Sequence, residues 1–122
     1  MKSFEVVVSG MSKPVVISSG QNAQDNFDLI DKYAAGVEGA ELFWFHLESF
    51  SSPHVILEVP AEVVEKETYI RIAAEYTKSS TKKHKNRPNL VIIYTPLFNV
   101  VKTENVGEVF FKSNRKVKKI VI

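Results

Sequence analysis

The amino-acid sequence predicts an α+β fold, in which a mostly antiparallel sheet built from hairpins carries one long and one short helix. Three observations support this prediction. Short β-branched and aromatic runs alternate with turn residues, one stretch of 18 residues has helical periodicity, and the predicted order of elements is ββαββαβββ. Because 122 residues suffice for one ordinary core and not for two, the chain is predicted to be a single domain, 1–122.

The elements of the first half are placed by the turn residues that separate them. Its predicted strands form two hairpins, FEVVVS (4–9) with PVVISS (14–19) and ELFWFHL (41–47) with HVILEV (54–59). Gly10 lies in the first turn, and the serine-rich segment ESFSSP forms the second. Between the hairpins, Asn22 or Asp25 is predicted to cap a short helix that Gly36 closes.

The second half begins with the predicted long helix. Residues 61–78 place Val63, Ile70, Ala74 and Thr77 on one stripe, which fits a helix of about four to five turns. Proline follows in RPN, so the segment after the helix is predicted to be a loop. LVIIYT is continuously apolar, as expected of a central strand covered on both faces. EVFF and VKKIVI, around the turn KSNR, are predicted to form a third hairpin.

The composition excludes several classes of protein. The chain has no cysteine, which excludes disulfides, thiolate zinc sites, iron–sulfur ligation and cysteine nucleophiles. No apolar run approaches the roughly 20 residues that a spanning helix needs, and the start MKSFEVVVSG lacks the apolar stretch of a secretory signal. We therefore expect no membrane span and a cytoplasmic location, with the nucleus as the alternative.

The charges are distributed very unevenly along the chain. Residues 1–77 hold five Lys or Arg against twelve Asp or Glu, whereas residues 78–122 hold eleven against two. The formal net charge of +2 therefore conceals a strongly basic second part. Such segregation predicts an anionic partner for one side of the molecule.

Two basic clusters carry most of this positive charge. The first, which we call the basic loop, consists of Lys78, Lys82, Lys83, His84, Lys85 and Arg87. The second, the C-terminal basic cluster, consists of Lys112, Arg115, Lys116, Lys118 and Lys119. Mobile cations bind phosphates and release counterions, so both clusters predict phosphate contacts. The alternative is that both are solvated loops that keep the protein soluble.

The second hairpin raises the question of a histidine site. Side chains alternate along a strand, so Trp44 and His46 share one face, and His54 lies on the same face as their diagonal neighbour across the turn. With Glu48 and Glu58 nearby, the histidines are candidate metal ligands. Ser51 and Ser52 beside His54 raise the alternative of a Ser-His arrangement, and a third alternative is two half-buried histidines that hydrogen-bond to loops.

Other residues also have two interpretations. Trp44, Tyr94 and Phe98 are candidate platforms on which unpaired bases stack, or else core residues. The loop at Gly20, with Asn22 and Asn26, is a candidate phosphate site at a helix start, although helix capping explains it equally well.

Several short motifs together resemble a known family. They are GQNAQDNFDLI (20–30), WFH (44–46), SSPHV (51–55), YTP (94–96), Asn99, Lys102 and VGEVFF (106–111). In order and spacing the chain resembles the RNA-binding domain of the NFACT family, NFACT-R, in its stand-alone form. The resemblance covers nearly the whole chain and places both histidines on signature positions. It implies nucleic-acid binding rather than hydrolysis.

The function expected from this resemblance is noncatalytic binding of structured RNA, either tRNA or ribosomal RNA, linked to translation or ribosome quality control. The basic loop and the C-terminal basic cluster are expected to hold phosphates. A more specific pocket is expected to consist of Gly20, Asn22, Asn26, Trp44, His46, Ser52 and His54. No catalytic residue, metal or cofactor is predicted. The alternatives are DNA as the ligand, a protein-interaction module that docks on a ribosome-associated or acidic partner, and a His-based hydrolase or metalloenzyme.

Overall fold

The computed structural model describes residues 1–122 and confirms an α+β fold. In chain order its elements are β1 (Lys2–Val6), β2 (Val15–Ser19), α1 (Ala23–Tyr33), β3 (Ala40–Leu47), β4 (Val55–Pro60), α2 (Lys66–Ser79), β5 (Val91–Pro96), β6 (Val100–Lys102), β7 (Val109–Phe111) and β8 (Lys118–Val121). Six strands form an antiparallel sheet in the order β1-β2-β4-β3-β5-β8, and β6 pairs with β7 in a separate small sheet. Neither helix has the length and apolar character required to cross a membrane.

The large sheet has a hydrophobic layer on each face. Phe43, Phe45 and Leu47 of β3 pack on the α2 side, as strand alternation predicts. On the opposite side, Trp44 and Ile56 pack with Phe27 of α1 and with residues around β6 and β7. Both faces are therefore covered, and Trp44 is only 2% exposed.

Both predicted hairpins of the first half are confirmed, although β1 spans Lys2–Val6 instead of residues 4–9. The long helix begins at Lys66 rather than at residue 61, because the segment before it is tied to the sheet. The backbone N–H of Ala61 donates to the carbonyl of Gly39, and that of Val63 donates to Pro60. The Val63 side chain still belongs to the core.

The predicted third hairpin is wrong. β7 pairs with β6, a strand that the sequence pattern did not reveal, and β8 pairs with β5 at the edge of the large sheet. β5 lies between β3 and β8 and buries Ile92 and Thr95, so it is covered less completely than predicted. The chain leaves the sheet because a 3-10 turn, Leu97–Asn99, follows β5 and leads into β6.

Buried Asn99 determines the course of the chain after β5. Its amide nitrogen donates to Thr95 Oγ1 (3.0 Å) and to the Ser113 carbonyl (2.9 Å), and its Oδ1 accepts from the Ser113 backbone N–H (2.8 Å). These bonds hold the segment after β7 against the end of β5, from where it continues into β8. Asn99 is 1% exposed, so its three hydrogen bonds are shielded from water.

Candidate functional site

A cleft of about 1250 Å³ opens on the α1 side of the sheet. Its walls are the start of α1, the turn between β3 and β4, the loop after α2 and the segment before β7. The structure brings together in this cleft most of the pocket residues predicted from the sequence and three residues of the basic loop. These are Asn22, Asn26, Trp44, His46, Ser52, His54, Lys82, Lys83 and His84.

A hydrogen bond from Trp44 fixes the protonation state of His54. Trp44 Nε1 donates to His54 Nδ1 at 3.1 Å, so this nitrogen must be unprotonated and a neutral ring carries its proton on Nε2. His54 is 2% exposed, and burial, followed by the nearby His46 ring, lowers its pKa to about 4, against the opposing effect of a hydrogen bond with the Gly107 backbone. His54 is therefore neutral at pH 7.

His46 lies beside this pair and leaves one nitrogen free. The register Phe45↔Val55 places His46 directly opposite His54 rather than diagonally, and their ring centroids are 5.4 Å apart. His46 Nδ1 lies 2.6 Å from the Leu47 carbonyl and donates to it, while the ring stacks parallel to Trp44. Burial lowers the pKa of His46, against the opposing effect of the Leu47 hydrogen bond. The neutral ring keeps Nε2 as a hydrogen-bond acceptor.

The geometry gives little support to metal or nucleophilic chemistry. His54 Nδ1 already accepts a hydrogen bond, and no group of three or more His, Asp or Glu side chains is arranged to hold a metal ion. Ser52 Oγ accepts from the Leu47 N–H at 3.0 Å and donates to the Pro53 carbonyl. Ser52 therefore stabilises the hairpin turn and makes no hydrogen bond to either histidine.

Gly20 allows α1 to approach β4 closely. Its backbone N–H donates to the His54 carbonyl, and Asn26 Oδ1 accepts from the His54 N–H, both at 3.1 Å. A Cβ at position 20 would lie 2.1 Å from Asn26 Oδ1, so only glycine fits. The Asn26 amide nitrogen has no protein acceptor, although the residue is only 7% exposed and lines the cleft.

The start of α1 is capped by two side chains. Asn22 Oδ1 accepts from the Asp25 N–H at 2.8 Å, and Asp25 Oδ2 accepts from the Gln21 N–H at 2.9 Å. Both residues proposed as caps therefore contribute, with Asn22 in the N-cap position. The remaining N–H groups of the first turn, including that of Ala23 in the cleft wall, have no acceptor within the helix.

The residues of the basic loop have different surroundings. Lys82 and Lys83 are exposed, line the cleft and take part in no ion pair, so their charge is available to a ligand. The His84 ring stacks on Phe50 with centroids 4.0 Å apart, and the Arg87 guanidinium lies 4.7 Å from the same ring. Lys85 is exposed outside the cleft wall.

Lys78 and the C-terminal basic cluster lie apart from the cleft. Lys78 Nζ donates to the Ile122 carbonyl at 3.0 Å, which anchors the chain end. Lys119 pairs with Glu48 at 2.5 Å near the cleft rim, and Lys116 Nζ lies 5.4 Å from the centre of the Phe98 ring. Lys112, Arg115 and Lys118 complete the cluster, and none of its five members lines the cleft. The basic residues therefore divide between the cleft wall and the surface outside it, with Lys119 at the rim.

The three aromatic candidates for base stacking also separate. Trp44 is buried beneath the cleft, and Tyr94 stacks on Phe45 of the α2-side core. Phe98 alone has an exposed ring, at 65%.

Sequence reasoning did not identify Phe50, Gly107 or Phe111 as cleft residues. The glycine in VGEVFF was a usable signal, since Gly107 has φ of +87° and its close approach to Ala23 leaves no room for a side chain.

Comparisons with known proteins find a matching family model and several relatives. The family model described as the NFACT protein RNA binding domain matches residues 3–113. Coiled-coil domain-containing protein 25 from Danio rerio is 30% identical over 118 residues, which cover 92% of this chain and 54% of that protein. Protein JLP2 from Saccharomyces cerevisiae is 30% identical over an alignment of 129 residues, which covers 96% of this chain and 58% of that protein. The chain thus spans little more than half the length of these curated relatives.

A solved structure shares the fold. The C-terminal part of the fibronectin/fibrinogen-binding protein from Streptococcus suis matches with a TM-score of 0.68 at 18% sequence identity. The match covers 88% of this chain and 40% of that chain.

Proposed function

The chain belongs to the NFACT protein RNA binding domain family, and from this premise we propose that its cleft binds structured RNA, either tRNA or ribosomal RNA, without catalysis. The family supports a nucleic-acid-binding role in general. The choice of RNA, a role in translation or ribosome quality control, and a cytoplasmic location are parts of the proposal.

The observation that carries the proposal is the convergence of phosphate ligands on one cleft. Lys82 and Lys83 supply mobile charges that no protein carboxylate neutralises. The first turn of α1 supplies fixed N–H donors at the positive end of a helix dipole. The Asn26 amide nitrogen, which has no protein acceptor, adds a donor in the cleft wall. Fixed donors beside mobile cations are the combination that positions a phosphate backbone.

The neutral histidines provide the cleft with uncharged hydrogen-bonding groups. Because His54 has a pKa of about 4, it adds no charge at pH 7 and instead supports the ring of its neighbour His46. His46 Nε2 is an acceptor, and a ribose 2′-OH is a donor that distinguishes RNA from DNA. The proposed division of labour is phosphate binding by the lysines and ribose recognition by His46.

The test is a fluorescence-anisotropy titration with tRNA, a single-stranded RNA and a DNA duplex, each at several salt concentrations. Wild-type protein is expected to bind tRNA with a negative log–log salt slope, because each neutralised phosphate releases counterions. The double reversal Lys82→Glu/Lys83→Glu is expected to weaken binding at least about tenfold and to reduce the slope by about two. Adding Lys85→Glu is expected to abolish binding.

The matched control is Lys13→Glu/Lys32→Glu, which changes the net charge equally at two exposed lysines outside the cleft. An equal loss of RNA affinity in the two double variants would show that binding depends on overall charge and would refute the cleft as the binding site. No binding of wild-type protein to any nucleic acid at low salt would favour docking on an acidic protein. Sedimentation with ribosomes, before and after nuclease treatment, tests the proposed ribosome link.

A further inference from the structure

A second, mostly apolar pocket of about 520 Å³ lies away from the cleft. It is bounded by the end of α1, the start of β3 and the 3-10 turn after β5, and most of its lining residues are hydrophobic. Its volume falls within the roughly 300–1,000 Å³ typical of small-molecule sites. Phe98 and Lys112 lie in its wall.

The exposed ring of Phe98 is held in place by its neighbours. Leu97 and Asn99, on either side of it, are 6% and 1% exposed, so the backbone of the turn is anchored in the interior. The Lys112 backbone N–H donates to the Asn99 carbonyl at 3.0 Å. This bond holds Lys112, the first residue of the C-terminal basic cluster, beside the turn. The Phe98 side chain is 65% exposed on this anchored turn, so its ring is accessible to a ligand.

The charges around this pocket fit an anionic ligand. Lys116 Nζ lies 5.4 Å from the Phe98 ring centre, and Lys112 lines the pocket. Arg115 is exposed between them in the chain. The carboxylate of Glu41, which also lines the pocket, accepts from Lys66 Nζ at 3.2 Å and is thus neutralised by a protein partner.

We propose that Phe98, with Lys112 and Lys116, forms a second RNA site that receives one unpaired base of a single-stranded segment. The base stacks on Phe98 over the apolar pocket, and the lysines bind the flanking phosphates. An aromatic face beside mobile cations is how proteins hold single strands. The inference rests on the proposed RNA-binding function and extends it, because the site lies outside the cleft. A chain that engages both sites must combine a structured part with an unpaired end.

The test uses a short oligouridine RNA that carries one 2-aminopurine, whose fluorescence is quenched on stacking. Wild-type protein is expected to quench the probe, whereas Phe98→Ala is expected to lose the quenching and to bind about tenfold more weakly. Phe98→Trp is expected to retain both properties. Phe110→Ala is the matched control, because Phe110 is 53% exposed and lies outside both pockets.

The possible results separate the two proposals. Binding that Lys82→Glu/Lys83→Glu weakens and Phe98→Ala leaves unchanged would overturn the second site and keep the cleft. Failure of wild-type protein to bind any RNA would overturn both. If a poly-glutamate peptide binds in a Phe98-dependent way and the RNA probe is not quenched, the ligand of this site is an acidic protein segment. That result would overturn the proposed base-binding site.

Discussion

Lowering the pH from 7 to 5 is expected to destabilise the protein through His54. In the folded state the Trp44 N–H occupies Nδ1 of His54, and burial lowers its pKa from 6.5 to about 4. The unfolded imidazole takes up a proton near pH 6.5. Between these two values the unfolded state binds more protons, so the free energy of unfolding falls as the pH falls.

The size of this effect follows from the two pKa values. One pKa unit corresponds to about 1.4 kcal/mol, so the full difference corresponds to about 3 kcal/mol once the pH is below the folded pKa. Most of that loss has occurred by pH 5, where linkage gives a decrease of about 2 kcal/mol relative to pH 7. At 2% exposure, solvent screening of His54 is small. The lowered pKa of His46 acts in the same direction.

Urea denaturation at pH 7 and pH 5 measures the decrease. His54→Asn retains an oxygen acceptor for the Trp44 N–H but does not titrate. Its free energy of unfolding should therefore fall by about 2 kcal/mol less than that of wild-type protein between pH 7 and pH 5. His84→Asn is the control for removal of a histidine elsewhere. An equal pH dependence in wild-type protein and His54→Asn would refute the reasoning. So would an NMR titration of wild-type protein that places the pKa of His54 near 6.5.

Three further predictions concern packing and charge. Gly20→Ala is expected to lower the free energy of unfolding by at least about 2 kcal/mol, because its Cβ would collide with Asn26. In a parallel urea titration Gly10→Ala should lower the free energy of unfolding by only about 1 kcal/mol, because Gly10 has positive φ but open space around it. An equal decrease in the two variants would contradict the role of close packing at Gly20. Asn99→Ala is expected to lower the free energy of unfolding by on the order of 2–4 kcal/mol, because it removes the buried side chain that hydrogen-bonds to Ser113. Amide exchange at Ser113 should become faster, and an unchanged exchange rate would contradict the role of Asn99 in holding this segment. RNA affinity is expected to fall between 50 and 200 mM salt by at least about tenfold in an anisotropy titration, and salt-independent binding would contradict phosphate contact.

The sequence by itself determined most of the local elements and much of the cleft. Alternation along β3 and β4 placed His46 and His54 on one face, and helix-start chemistry narrowed the cap to Asn22 or Asp25, both of which contribute. These features depend on neighbours in the chain, and their physical basis is therefore visible in short stretches. The motif resemblance likewise indicated the family that the comparisons confirmed.

Only the tertiary structure decided which strands pair after β5 and which charged or aromatic groups remain accessible. β7 and β8 looked like one hairpin, yet Asn99 holds the chain so that they pair with different partners. Trp44 is buried and Phe98 exposed because α1 and the small sheet cover one ring and leave the other in solvent. Strand partners and exposure depend on groups that are distant in sequence and meet only when the core packs.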